Sequence, residues 1–337
     1  MSNSVSTTDA RRTGHNRYTV LVNRLGIFAV IVLLMIVGSL VAPGSFFTFT
    51  NIRSILQAGA LLGMVAVGMA FVTYSSNFCD MSIPMIIAFS GKITVATISL
   101  GFWASVLCGI LAGMAMGLVN GIMVGKFRAH PIIWTLAFNF VMSGLVRWIW
   151  AGTQIYPEME ARGNYAAVET FLSISRTFVW NIPIMVIVMV LMIVAGQFVL
   201  TQTRFGNELK MVGSNYAAAK ASGINVVRSV NIVYLISGFC AAICGIFLAS
   251  MSMTGAFFLG EGYDFRAITA VLLGGMTLAG GKGNLIGVLG GVITVGMLSN
   301  IMTLIGIPTF NQWLVQGLVF LFIVWLNTNS DRKLGRS

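Results

Sequence analysis

Long apolar runs dominate this chain, and short polar or basic stretches separate them. A membrane-spanning helix needs about 20 mostly apolar residues. Ten runs are close to that length: roughly 25–42, 56–75, 82–100, 102–125, 131–150, 179–200, 230–252, 266–280, 285–306 and 310–327. The pattern predicts an all-α integral membrane protein of about ten transmembrane helices in one domain, 25–327. Polar tails at 1–24 and 328–337 flank it, and polar segments at 151–178 and 201–229 interrupt it. The run at 266–280 is short and rich in glycine, so a broken or re-entrant element is expected there. The first run is too long for a signal-peptide core, and no A-x-A site follows it, so it reads as an uncleaved anchor.

Composition agrees with lipid as the main solvent. Of 337 residues, 57% are hydrophobic and 9% charged, against about 25% charged in soluble domains. The formal net charge is +11, yet no basic stripe with interleaved aromatics points to nucleic acid. Lys and Arg collect in cytoplasmic loops of membrane proteins. Placing both termini inside, as ten spans require, puts fourteen of the twenty Lys and Arg on that side and five on the other, with Lys92 inside a span. That bias predicts cytoplasmic termini and a cytoplasmic 201–229 segment. Cys79, Cys108, Cys240 and Cys244 lie in or beside apolar runs and make no disulfide framework, while His15 and His130 are too few for a metal site.

Chemistry is sparse. Gly109, Gly113, Gly117, Gly121 and Gly125 recur every four residues, which puts them on one helical face open to a neighbouring backbone. No catalytic constellation is present. The nearest approach to a phosphate loop is "GGMTLAGGKGN", Gly274–Asn284, where Lys282 is followed by Gly283 and not by the Ser or Thr of a Walker A loop. No cofactor or metal is expected on this chain. Charges within spans are functional hypotheses by default. Asp80 sits where the second span breaks into the third and reads equally as a structural turn or a pathway group. Lys92 is expected to snorkel from a shallow position. Asn77, Ser82, Asn120 and Asn139 complete the translocation-path candidates, and Arg147 reads either as a further pathway group or as an interfacial residue.

From residue 203 the chain resembles a known family. "TRFGNELKMVGSNYAAAKASGINV" is similar to the cytoplasmic segment of permease subunits in bacterial ABC importers for ribose, galactose, xylose and arabinose. "YLISGFCAAICG", "GYDFRAITAVLLGGMTLAGGKGNLIGVLGG" and "NQWLVQGLVFL" resemble the second-half signature of that family. "FTNIRSILQAGALLGMVAVGMAFV" and "GKFRAHPIIWTLA" match its first half more loosely. One departure stands out. The family has G-G-I-D-L-S-V-G after its second span, and this chain has Asn77–Phe78–Cys79–Asp80–Met81–Ser82–Ile83–Pro84, which keeps the acid and the serine but loses the glycines.

The resemblance implies a type II, vitamin-B12-importer-like permease bundle in the bacterial inner membrane. Two permeases, as a homodimer or heterodimer, would surround a path. ABC ATPase subunits carrying ATP and Mg would sit beneath, and a periplasmic binding protein would deliver a sugar-like solute. Segment 201–229 would hold the coupling helix, with Gly213, Asn215, Ala217, Ala218, Lys220, Ser222, Gly223 and Ile224 at the ATPase interface. Two alternatives stay open at this point. One is an ion- or proton-coupled secondary transporter using Asp80 and Lys92; the other is the same importer class carrying a nucleoside or other non-sugar cargo.

Overall fold

The computed structural model describes residues 28–333. The tail 1–24, the start of the first expected span and residues 334–337 lie outside that range. A helix stands at each of the ten expected runs. The first two are α1 (Phe28–Val41) and α2 (Phe49–Tyr74), followed by α3 (Ile83–Ala96), α4 (Phe102–Gly125) and α5 (Pro131–Ile149). Two short helices, α6 (Pro157–Glu160) and α7 (Tyr165–Ile174), precede a two-strand hairpin, β1 (Phe178–Val179) and β2 (Ile182–Pro183). Then come α8 (Ile184–Gln202), α9 (Arg204–Ser214), α10 (Tyr216–Ala221) and α11 (Val226–Ser252). The chain closes with α12 (Tyr263–Leu273), α13 (Leu285–Leu304) and α14 (Thr309–Lys333). Among the described residues, six helices (α2, α4, α5, α8, α11 and α13) have both the length and the apolar character to cross a membrane.

Several boundaries differ from the sequence expectation for local reasons. Helix α2 starts seven residues early because the Thr48 hydroxyl accepts from the Asn51 N–H and caps it. Residues 178–183 are no helix: Trp180 and Asn181, at φ +53° and +65°, turn the chain between β1 and β2, the backbone that a two-residue type I′ hairpin requires. Helix α14 runs to Lys333, six residues into the expected tail. The glycine-rich run breaks as anticipated. At 1.5 Å per residue, the 11-residue α12 is about 16 Å long, half of a hydrocarbon core of about 30 Å.

Helix α11 is the axis of the bundle. Buried residues fill 67% of its most apolar window and 72% of that of α2, against 17% for α5. Its neighbours reach it backbone to backbone. A Cβ added to Gly117 would collide with the Tyr234 carbonyl, one on Gly113 would stand 2.9 Å from the Gly238 carbonyl, and one on Gly121 2.8 Å from the Asn231 Cα. Helix α3 repeats the device with Gly91 at 2.7 Å from the Gly245 carbonyl, and α2 with Gly68 at 2.9 Å from the Ser237 Cα. The glycine ladder is therefore a packing face. A second apolar cluster, Val95, Ile98, Ile155, Val168, Phe171 and Ile246, caps the α7 end, where the Ser250 hydroxyl donates to the Phe171 carbonyl at 2.6 Å.

This packing makes a testable demand. Overfilling a tight interior site costs about 1–3 kcal/mol, so Gly117→Leu should lower the thermal unfolding midpoint in detergent by several degrees. Gly144→Leu, on a glycine with open space around it, should leave the midpoint unchanged.

Candidate functional site

The polar candidates concentrate, among the described residues, at the break between α2 and α3 and in the segment from α9 to α10. At the break, α2 ends at Tyr74 and the chain turns through Ser76 and Phe78, both left-handed at φ +64°. Pro84 then opens α3 within its first turn. Asp80 is fully buried. Its Oδ1 accepts from the Ser82 N–H (3.0 Å) and the Ser82 hydroxyl (2.6 Å), and its Oδ2 accepts from the Ser237 hydroxyl of α11 (3.0 Å). The Asn120 amide of α4 donates to Ser82 Oγ (2.7 Å), and Trp134 Nε1 of α5 donates to Asn120 Oδ1 (3.0 Å). Nearby, the Met81 N–H donates to the Thr135 hydroxyl at 3.0 Å. The carboxylate thus clasps α11 directly, and α4 and α5 through Ser82 and Asn120. Isolated buried charges are costly, and hydrogen bonds of this kind are what make them tolerable.

Of the six path candidates, Asp80, Ser82 and Asn120 come together here. Lys92 does not join them. It lies fully buried at the α7 end, where its Nζ donates to the Thr153 carbonyl at 2.7 Å and stands 4.9 Å from the Trp150 ring centroid. The lysine pins the 150–155 loop and does not snorkel to water. Asn77 is half-buried and donates to Ser75 Oγ (2.6 Å), while Asn139 on α5 is half-buried with its Oδ1 unpartnered in this chain. Arg147 is exposed, hydrogen-bonds back to Ser143 and covers the Phe257 ring at 4.4 Å. Ser237 and Trp134 were missed from sequence. The only signal for Ser237 was a hydroxyl within an apolar run, a pattern that the backbone of the same helix usually satisfies.

The α9–α10 segment is two helices, each started by a side-chain cap. The Thr203 hydroxyl accepts from the Gly206 N–H (3.1 Å), Asn215 Oδ1 from the Ala218 N–H (3.0 Å), and Asn225 Oδ1 from the Arg228 N–H at the start of α11 (3.0 Å). Asn215 itself is extended and so separates α9 from α10. Leu209 and Val212 seat α9 on the bundle. Gly213 is buried: a Cβ there would overlap the Tyr74 carbonyl and come within 2.6 Å of the Gly281 nitrogen. Its small size serves this chain's own packing. On α10, Ala219 alone is buried, whereas Asn215, Ala217, Ala218, Lys220, Ser222 and Gly223 are exposed and Ile224 is half-buried. Gly223 has open space around it and a φ of +81°, so glycine is needed there for the turn after α10 and not for closeness within the chain.

Among the described residues, no three His, Cys, Asp or Glu side chains gather as a metal site. Comparison with known proteins adds a decisive observation. A family model described as the permease component of the branched-chain amino acid transport system matches residues 51–324. The chain belongs to this permease family. It is 32% identical over 321 residues to the ribose import permease protein of Escherichia coli strain K12, covering 92% of this chain and 95% of that one. It is 33% identical over 312 residues to the ribose import permease protein of Bacillus subtilis strain 168, covering 92% and 93%. It is 35% identical over 306 residues to the L-arabinose ABC transporter permease protein of Azospirillum brasilense, covering 90% and 87%. The permease is accordingly a multi-pass inner-membrane protein. Both polar places lie within the matched span.

Two outcomes follow from the clasp. Ser237→Ala removes the donor to a buried carboxylate oxygen, so stability to chemical denaturation in detergent should fall by about 1–3 kcal/mol. At Phe78, a non-glycine residue in a left-handed conformation costs on the order of 1 kcal/mol or more. Its ring is 39% exposed. Phe78→Gly, which restores the glycine of the family pattern, should therefore raise the same measured stability.

Proposed function

We propose that this permease is the membrane-spanning subunit of an ATP-binding-cassette importer and forms the translocation path for a sugar or sugar-like solute handed over by a periplasmic binding protein. The observation that carries the reading is near-full-length similarity to ribose and arabinose permeases. The proposed architecture is a type II bundle of ten spans with both termini cytoplasmic. Helix α12 with its following loop counts as the broken eighth span, and α1 and α14 complete the ten. A second permease, identical or related, pairs with it. ATP and Mg bind to separate ATPase subunits, and this chain holds no cofactor of its own.

The charge bias and the exposure of α10 support cytoplasmic docking there. Ala217 and Ala218 present a surface low enough for a partner's backbone to approach, while Asn215, Lys220 and Ser222 offer hydrogen-bonding groups at its rim. Gly223 shapes the turn that holds α10 out, Ile224 packs beneath, and Gly213 anchors α9 to the bundle. Movement is driven from outside the chain: ATP binding shifts an equilibrium between inward and outward forms that the permease already possesses. Of the path candidates, Asn77 and Asn139 keep exposed surface and are assigned to the path. Asp80, Ser82, Asn120 and Lys92 are assigned to holding helices in place. Asp80 and Lys92 are each hydrogen-bonded within their own end of the bundle, which favours the importer reading over an ion-coupled carrier that uses both.

The docking surface is tested by Ala218→Arg. An exposed alanine carries little folding energy, so thermal stability should be unchanged, while affinity for the cognate ATPase should drop about tenfold or more, as hot-spot disruption does at other interfaces. Unchanged affinity would move the docking site elsewhere. Cargo is read in proteoliposomes containing the assembled complex, by comparing ATP-driven uptake of labelled ribose, arabinose and leucine. Uptake of leucine alone would replace the sugar reading by the amino-acid transport named in the family description.

A further inference from the structure

The glycine-rich loop Gly274–Asn284 departs from the Walker A pattern, and its placement suits it to another task. Gly275, Gly280, Gly281 and Gly283 all have positive φ, at +83°, +81°, +69° and +125°, a backbone that side chains strain. The loop is wedged between α9 and the end of α2. The Gly281 N–H donates to the Tyr74 carbonyl at 2.8 Å. A Cβ on Gly281 would collide with the Ser214 hydroxyl and stand 3.2 Å from the Lys210 carbonyl, and one on Gly280 would stand 2.7 Å from the Ser76 nitrogen. Gly213 of α9 completes the joint against both Tyr74 and Gly281. Three segments therefore meet largely main chain to main chain, with only the short Ser214 and Ser76 side chains beside the contact.

The joint leads directly to the clasp. Five residues separate Tyr74 from Asp80, and two of them, Ser76 and Phe78, are held left-handed. The Thr73 hydroxyl lies between the two sides of the turn, with the Met69 carbonyl (3.0 Å) and the Phe78 carbonyl (2.9 Å) both within reach of its one proton. Close-packed elements switch between discrete arrangements and do not deform smoothly, and a strained turn is a place where a second arrangement has less strain to bear. We infer that the Gly213–Gly281–Tyr74 joint passes displacement of α9 to the turn at Ser76–Phe78 and so opens the Asp80 clasp between α11, α4 and α5. Gly281 and Ser76 are then positioning residues for transport. This rests on the functional reading above.

Cys79, between Phe78 and Asp80, is 1% exposed and reports the opening without any engineered label. The experiment uses the assembled permease–ATPase complex and maleimide labelling, read at Cys79 by peptide mass spectrometry, with and without ATP plus vanadate. In the unmodified complex, trapped nucleotide should speed Cys79 labelling about tenfold, the signature of a population shift toward an open clasp. Gly281→Ala jams the joint, and Ser76→Gly relaxes the turn so that a push dissipates. Both should bind the ATPase and hydrolyse ATP yet lose the nucleotide response at Cys79. Ser76→Gly relieves strain and so decides the matter even if Gly281→Ala fails to fold. A complex that hydrolyses ATP with no response at Cys79, or a Ser76→Gly complex that keeps the full response, overturns the inference while leaving the importer reading standing. A chain that binds no ATPase removes both.

Discussion

Close approach of α11 to its neighbours is the constraint on which the rest of the structure depends. In lipid, apolar side chains gain little by leaving one greasy surface for another, so helices associate through dispersion contacts and polar links that small residues permit. Here Gly113, Gly117 and Gly121 of α4, Gly91 of α3 and Gly68 of α2 bring three helices onto the backbone of α11, and Gly238 and Gly245 of α11 answer them. Only at that separation can the short side chain of Ser237 reach Asp80, and the Asn120 amide reach Ser82. The polar clasp is thus a consequence of the glycine packing.

The clasp explains how a carboxylate survives inside a membrane bundle. Its donors come from the adjoining turn and from α11, with α4 and α5 linked through Ser82 and Asn120. It therefore ties α11, α4 and α5 to the turn that precedes α3. Lys92 does comparable work at the opposite end, holding the 150–155 loop through the Thr153 carbonyl. Asp80 and Lys92, the two ionisable groups at and within α3, lie about three helical turns apart, and each is satisfied locally. Surface is left uncovered on the outer face of α10 and at the turn around Asn77 and Phe78, the places to which the proposed roles are assigned.

Much of the fold was legible because its signals are local. Apolar runs of spanning length and the four-residue glycine repeat each follow from residues near one another in the chain. Less was legible where a choice depended on distant partners. Gly213 and Gly223 look equivalent in sequence, yet one is buried against Tyr74 and the other stands in open space at positive φ. Ser237, one hydroxyl among several in apolar helices, gave no sign of serving Asp80.

By itself, then, the sequence determined that the chain lives in lipid, where its helices stand, which helix presents a glycine face, and which permease family it resembles. Each rests on composition or on spacing along one element. Tertiary structure alone decided which helix is the axis, that Asp80 clasps three elements while Lys92 stays apart, and that the loop at Gly281 joins α9 to the end of α2. Those outcomes depend on separations of a few ångströms between residues on different elements, Asp80 and Ser237 among them, and no periodicity within a single helix encodes them.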